Sequence, residues 1–166
     1  MKTIIFGNSG SGKSTLSKRL AQAHSAAHLD LDTLAWLPTS PPTRAPLESS
    51  LDKINEFIQS HSDWVIEGCY SDLIKPIAEQ CQHLVFIDLD IETCKANAKS
   101  RPWEPHKYPS KEAQDENLAM LLAWIEDYDT RDDVFSKAAH TKLFETFTGN
   151  KVRLESNQQS RAFSLK

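Results

Sequence analysis

The chain has 166 residues, which suits one domain with a substantial buried core. Charged residues make up 25% of it and hydrophobic residues 39%, as in an ordinary soluble globular protein. The formal net charge of −4 gives no overall attraction to nucleic acid or to an anionic membrane, and no apolar run approaches the ~20 residues that a membrane-spanning helix needs. We therefore predict a single cytoplasmic domain, residues 1–166, with neither a nucleic-acid nor a membrane partner.

The first half of the chain alternates short apolar strands with amphipathic helices. Three strands are predicted, at Lys2–Phe6, Ala27–Leu31 and Trp64–Glu67. A helix is predicted at Gly12–Ala23, and a second helix begins near Pro46 after a proline-rich loop. The second helix has one apolar face, formed by Leu47, Leu51, Ile54 and Ile58.

The second half continues this alternation and adds a break. A short helix, a strand and a helix are predicted at Ser71–Gln80, His83–Asp88 and Ile91–Ser100. The segment Arg101–Ser110 contains three prolines, and Ser110 is a candidate cap for one long helix through Ile125. A helix at Asp132–Phe147 and a strand at Lys151–Leu154 follow, before a polar tail. Strands separated by helices predict an α/β fold whose parallel sheet is covered on both faces.

A glycine-rich loop lies between the first strand and the first helix. The run Gly7-Asn8-Ser9-Gly10-Ser11-Gly12-Lys13-Ser14 fits the phosphate-binding pattern G-x-x-x-x-G-K-[ST] without a mismatch, and Thr15 extends it into the helix. Glycines let backbone N–H groups surround a phosphate, and the helix adds the positive end of its dipole. Lys13 is predicted to hold the β- and γ-phosphates of ATP, and the Ser14 hydroxyl to ligate Mg²⁺.

Acidic residues that end the next strands are candidates for the magnesium shell and for catalysis. Asp30 and Asp32 are two apart, so on an extended segment both carboxylates point the same way. One carboxylate is suited to the Mg²⁺ shell and the other to taking the proton of an acceptor hydroxyl. Asp88, after an apolar strand, is a second candidate for the shell, with a helix cap as the alternative reading. Glu67 is a third candidate.

These features resemble the shikimate, gluconate and adenylate kinase group of small P-loop kinases. More narrowly, the segments DLDTLAWLP, WVIEGCYS and LLAWIEDYDTR resemble P-loop proteins labelled DNA topology modulation proteins. The resemblance implies a three-layer P-loop NTPase fold with a central five-stranded parallel sheet. It also implies that the strand before the glycine-rich loop lies in the middle of the sheet, and that residues 101–131 form a mobile helical lid.

The resemblance also implies roles for individual residues. Asp30 corresponds to the Mg²⁺ shell and Asp32 to the acceptor, while Arg101 and Arg131 correspond to lid arginines that neutralise the transferring phosphoryl group. The alternatives are structural: Arg101 as a helix cap, and Arg131 in an ion pair with a neighbouring aspartate.

The acceptor end of the sequence departs from these kinases. Shikimate kinases carry a glycine cluster after the third strand, where this chain has Glu67-Gly68-Cys69-Tyr70. Arg44 is a candidate for an anionic acceptor or a surface arginine, and Trp36 for a pocket floor or a core aromatic. Beyond the last strand, Asn157 and Gln158 are candidates for contacts with the base.

We therefore predict a phosphotransferase that moves the γ-phosphoryl group of Mg·ATP to an unknown small-molecule hydroxyl or phosphate acceptor, as a monomer or homodimer. The alternative is a nucleotide-dependent regulatory or nucleic-acid-associated P-loop protein without kinase activity. The cysteines Cys69, Cys81 and Cys94 lack metal-type spacing and are interpreted as buried or incidental thiols.

Overall fold

A five-stranded parallel sheet occupies the centre of the computed structural model, which describes residues 1–165. The strands are β1 (Lys2–Gly7), β2 (Ala27–Asp30), β3 (Trp36–Leu37), β4 (Thr43–Arg44), β5 (Trp64–Gly68), β6 (His83–Ile87) and β7 (Asn150–Leu154). The central sheet has the order β2-β5-β1-β6-β7, and β3 and β4 form a separate antiparallel hairpin. The strand before the glycine-rich loop is therefore the middle one, as predicted. Because β1 is buried on both faces, it reads as a continuous apolar run.

Helices cover both faces of the central sheet. They are α1 (Lys13–His24), α2 (Leu47–Ser60), α3 (Ser71–Ile74), α4 (Ile91–Lys99), α5 (Lys111–Glu116), α6 (Leu118–Glu126), α7 (Lys137–Thr146) and α8 (Asn157–Ala162). Ile4 and Phe6 of β1 belong to an apolar cluster with residues of α2, α3 and α7. Ile5 belongs to a second cluster with residues of α1, α4 and α6. Alternating side chains of one strand thus support two cores, which confirms the three-layer α/β fold.

Three predicted helices have different bounds in the structure. The helix predicted at Ser71–Gln80 is α-helical only over Ser71–Ile74, and Lys75–Gln80 continue it as a 3-10 helix. The long helix predicted from Ser110 is divided into α5 and α6 at Asn117. The side-chain amide of Asn117 donates to the Tyr108 hydroxyl. The helix predicted from Asp132 begins at Lys137, because the Ser136 hydroxyl accepts from the backbone N–H of Ala139 and caps it there.

Two further elements lie where no regular structure was predicted. The proline-rich loop contains the β3–β4 hairpin, and the polar tail contains α8, which the Ser156 hydroxyl caps. Both elements are short, so periodicity gives little signal for them. None of the helices within residues 1–165 combines the length and apolar character needed to cross a membrane.

Candidate functional site

A cleft of about 790 Å³ lies where the parallel strands end. Residues at the carboxyl ends of β2 and β5 line it, together with the glycine-rich loop, the segment 100–108 and residues of α8. The carboxyl edge of a parallel sheet is the usual place for ligands in α/β folds. The cleft is therefore the candidate functional site.

The glycine-rich loop depends on glycine at two close approaches. Gly7 has φ +150° and Gly10 has φ +74°. A Cβ at Gly7 would lie 2.3 Å from the Ile87 carbonyl oxygen, and one at Gly10 would lie 2.3 Å from the Cys94 carbonyl oxygen. Both contacts are with backbone, which cannot move aside cheaply. The curl of the loop therefore requires these glycines.

The loop fits a chain of phosphate groups. No side chain caps the N-terminus of α1, and within the described residues the buried Ser11 hydroxyl has no hydrogen-bond partner. The Lys13 ammonium donates to the Asn8 carbonyl oxygen at 2.7 Å, across the loop. Residues 9–15 line the cleft, whereas Gly7 is buried and the Asn8 amide donates to the Ile125 carbonyl oxygen. The predicted segment Gly7–Thr15 thus forms a positively polarised cradle.

An amide pair connects this cradle to two helices. The Asn97 side chain of α4 donates to the Gly10 carbonyl oxygen at 2.9 Å and exchanges hydrogen bonds with Asn157 of α8. Asn157 lines the cleft, but its amide is engaged by Asn97, and its contact with a base stays a prediction. Gln158 is not among the lining residues; Ser160 and Arg161 line that end.

The three candidates for the magnesium shell separate in space. The Ser14 hydroxyl donates to Glu67 at 3.0 Å, and His28 Nε2 donates to the other carboxylate oxygen at 3.1 Å. Glu67 and Asp30 line the cleft, whereas Asp88 lies outside the lining, with its carboxylate near Lys137 and Arg153. The structure therefore favours Asp30 and Glu67 over Asp88, in contrast to the order suggested by the sequence.

The donor set fits magnesium only together with a nucleotide. Within residues 1–165, no group of three or more His, Cys, Asp or Glu side chains is arranged to hold a metal ion by itself. Hydroxyl and carboxylate oxygens beside a phosphate cradle are the usual protein share of an Mg·nucleotide site, which keeps several waters and phosphate oxygens. Ser14 and Asp30, with Glu67 beside them, would hold the ion in this way.

Asp30 and Asp32 form an acidic pair whose oxygens are held individually. Asp30 Oδ1 accepts from the Asp32 backbone N–H at 2.9 Å. Asp32 Oδ1 accepts from the Tyr70 hydroxyl, which itself accepts from Trp36 Nε1 at 2.7 Å. The Lys107 ammonium contacts both Oδ2 atoms, at 3.2 Å from Asp30 and 2.9 Å from Asp32. The sequence analysis assigned no role to Tyr70 or to Lys107.

The environment of the pair separates its two carboxyl groups. Burial, with the charges of Asp32 and Glu67, raises the pKa of Asp30. Burial alone would also raise the pKa of Asp32, but Lys107 and the Tyr70 hydroxyl outweigh it and hold that pKa below its usual range. Burial and the Asp32 charge raise the pKa of Tyr70, so its hydroxyl remains a donor. Asp32 is thus the better-stabilised anion of the pair.

The two arginines assigned to the lid lie in different places. Arg101 lines the cleft, and its guanidinium is 3.2 Å from the Glu104 carboxylate. Arg131 is not among the lining residues: its guanidinium lies 3.4 Å from the centre of the Trp124 ring and donates to the Trp124 carbonyl oxygen. This placement corresponds to the structural alternative for Arg131, with Asp127 4.0 Å away.

Residues behind the acidic pair form an aromatic support. The Arg44 guanidinium is 3.0 Å from Asp72 and lies near the rings of Tyr70 and Phe135. Trp36 is 40% exposed and so is not a core aromatic. Arg44 is thus held by a carboxylate and by rings, and neither it nor Trp36 is among the residues that line the cleft.

The three cysteines are free thiols. Burial raises the pKa of Cys69 to about 12 and that of Cys94 to about 11, so both remain protonated at neutral pH. Cys69 lines the cleft, but as an unreactive thiol.

Comparisons with known proteins agree with this architecture. A family model described as an AAA domain matches residues 4–119. No curated protein matches the sequence significantly.

Among solved structures, shikimate kinase from Acinetobacter baumannii in complex with shikimate is similar at 14% identity and a TM-score of 0.50, covering 98% of this chain and 88% of that one. An uncharacterized protein from Eubacterium ventriosum is similar at 11% identity and a TM-score of 0.50, covering 98% and 95%. At these identities the likeness concerns the fold alone, and the narrower resemblance to DNA topology modulation proteins stays a prediction.

Proposed function

Since the chain belongs to the AAA domain family and is a nucleotide-binding P-loop protein, we propose that it is an ATP-dependent small-molecule kinase. In this proposal it moves the γ-phosphoryl group of Mg·ATP to an acceptor. One observation carries it: the glycine-rich loop and the acidic pair Asp30 and Asp32 open onto the same cleft, beneath a segment that carries Arg101. An Mg·nucleotide site accounts for Asp30, and the second held carboxylate, Asp32, supports an acceptor beside the phosphates.

The nucleotide end would be held by the cradle of residues 7–15. Lys13 would place its ammonium on the β- and γ-phosphates, and the first turn of α1 would add its N–H groups. Bound Mg²⁺ would supply positive charge to the same phosphate oxygens, with Ser14 and Asp30 as its protein partners. Arg101 would neutralise charge that develops on the transferring group.

At the acceptor end, Asp32 would orient a hydroxyl group and take its proton. The hydroxyl oxygen would form a bond to the γ-phosphorus as the bond from that phosphorus to the β,γ-bridging oxygen breaks, so ADP leaves and the proton passes to Asp32. The Tyr70 hydroxyl would keep Asp32 in position. Positioning of this kind accounts for a large share of catalysis in phosphoryl transfer.

The charges at this end favour a hydroxyl acceptor over a phosphate one. Arg44 is engaged by Asp72, and Lys107 is engaged by both members of the acidic pair. An acidic acceptor would therefore meet Asp32 and Glu67 while these nearby cations are already paired with carboxylates. This arrangement supports an uncharged hydroxyl compound as the acceptor.

The test is ADP release from Mg·ATP across a panel of nucleosides, nucleoside monophosphates, shikimate and gluconate. We expect release with at least one hydroxyl compound, and a loss of about a hundredfold or more in Asp32→Asn, the scale of losing a general base. Asp52→Asn, at an exposed position of α2, is the matched control. Binding of Mg·ATP without ADP release for any acceptor would contradict the kinase and favour the regulatory alternative.

A further inference from the structure

Lys107 joins the proline-rich segment 101–110 to the acidic pair. It is separated from Asp32 by 75 residues in the sequence, yet its ammonium lies 2.9 Å from one carboxylate and 3.2 Å from the other. The Lys107 side chain is 21% exposed and that of Asp30 is 11% exposed, so this half of the contact is shielded from water, whereas the Asp32 side chain is 42% exposed. The Coulomb attraction between shielded charges is stronger than that between exposed ones, and removing one partner leaves the other charge shielded and unpaired.

The contact engages the second oxygen of each carboxylate, and each of these oxygens keeps a further lone pair for a metal ion or an acceptor hydroxyl. The two Oδ1 atoms are already taken, one by the Asp32 backbone N–H and one by the Tyr70 hydroxyl. The two Oδ2 atoms are the ones that Lys107 meets. One ammonium group therefore joins both carboxylates at the oxygens that the rest of the fold leaves available.

The segment that carries Lys107 is itself internally braced. The backbone N–H groups of Lys107 and Tyr108 both donate to the Glu104 carbonyl oxygen at 3.0 Å. The Glu104 N–H donates to the Gln114 side chain at 2.8 Å, and Trp103 Nε1 donates to the Tyr108 carbonyl oxygen. The Lys107 side chain therefore extends from an ordered turn, so the position of the segment and the position of the ammonium change together.

We propose that Lys107 is a positioning residue of the reaction, which docks the segment 101–110 onto Asp30 and Asp32 and sets the two carboxylates for the acceptor. This inference rests on the proposed kinase function. Closing the segment would bring Arg101 to the phosphates and Lys107 to the acidic pair in one movement, so the two ends of the cleft are completed together. Lys107 acts through the carboxylates and does not contact the transferred group.

The first part of the test needs no substrate. Hydrogen exchange of the Glu104, Lys107 and Tyr108 amides is measured by NMR or mass spectrometry on the nucleotide-free full chain. In Lys107→Met we expect exchange about tenfold faster than in the wild type, within the range typical of coupling between two elements. Lys107→Arg, which keeps the charge, and Lys111→Met, whose lysine pairs with Asp115 on the exposed side of α5, should both exchange as the wild type does.

The second part separates positioning from stability. With the acceptor found in the panel, Lys107→Met should lower kcat about a hundredfold, the scale of a misplaced catalytic geometry, while KM for ATP changes less than about threefold. Lys107→Arg should recover most of kcat. Thermal unfolding checks that each variant is folded, with Lys107→Gln in reserve if the Met variant is not.

Three results would overturn the proposal. One is unchanged amide exchange in Lys107→Met, which would show that the docking contact does not hold the segment. Another is faster exchange with an unchanged kcat, which would leave Lys107 with a purely structural role. Absence of turnover in the wild type would overturn the kinase function and the positioning role together, and the exchange data would then report only whether Lys107 docks the segment.

Discussion

At the end of the cleft that carries the glycine-rich loop the backbone forms the surface, whereas at the proposed acceptor end side chains from distant segments form it. The cradle consists of consecutive residues whose curl depends on Gly7 and Gly10. The acidic pair is held by Tyr70 and Lys107, which come from separate parts of the chain. A site made of backbone tolerates little change, because a substitution that shifts the backbone moves all of its binding groups. A site made of side chains can be altered one contact at a time. Substitutions at the two ends should therefore differ in size and kind.

The largest effect is expected at Lys13, at the nucleotide end. Lys13→Ala removes the ammonium that lies over the loop, and ADP release should fall by about a thousandfold, the upper range for a single preorganised charge-stabilising donor. The fold should survive, because the contact recorded for this ammonium is with the Asn8 carbonyl oxygen inside the loop itself. Lys53→Ala, at an exposed position of α2, is the control. Turnover that persists in Lys13→Ala would remove the cradle from the mechanism.

A large effect of pH on the free energy of unfolding is expected from His140, behind the proposed acceptor end. His140 Nε2 donates to the Cys69 carbonyl oxygen and Nδ1 accepts from the Tyr128 hydroxyl, so the ring is neutral and fully engaged. Burial lowers its pKa to about 4 from the usual 6.5. The unfolded chain therefore takes up the proton first, and the free energy of unfolding should fall by about 3 kcal/mol as pH drops from 6.5 to 4.

Urea unfolding at several pH values measures how the free energy of unfolding depends on pH. The variant His140→Gln should be less stable at pH 7 but should lose less stability on acidification than the wild type. An equal slope in both proteins would show that other groups cause the acid sensitivity.

The two arginines that the resemblance assigned to a lid, Arg101 and Arg131, offer a matched pair of substitutions. Arg101→Ala should lower kcat by about a hundredfold, because its guanidinium lines the cleft. Arg131→Ala should leave kcat within about threefold and lower the free energy of unfolding by about 1 kcal/mol, through loss of the contact with the Trp124 ring. Steady-state kinetics of both variants measure the change in kcat, and urea unfolding measures the change in the free energy of unfolding. A large kcat loss in Arg131→Ala would mean that this side chain swings into the cleft during the reaction.

The smallest effect is expected from the support behind Asp32. Tyr70→Phe removes the donor to Asp32 Oδ1, and kcat should fall about tenfold, in line with one hydrogen bond to a charged group. Trp36→Phe, one bond further away, should cost less than Tyr70→Phe. The reverse order in measured kcat values would mean that Trp36 contacts the acceptor directly.

The same contrast explains what could be predicted from the sequence. The fold and the cradle follow from local signals: apolar strands, helical periodicity and an eight-residue motif in consecutive positions. The sequence ranked Asp88 before Glu67 although both follow apolar strands, and only the packed sheet shows that Glu67 is the one that meets Ser14. No local pattern marks Lys107 or Tyr70 as partners of Asp32, since their contacts exist only after long-range folding.

Asn97 connects α4 to the glycine-rich loop. Its amide grips the Gly10 carbonyl oxygen, and the chain reaches Arg101 two residues beyond the end of the same helix. One helix thus joins the glycine-rich loop, through a side-chain hydrogen bond, to the segment that carries Arg101, through the chain itself.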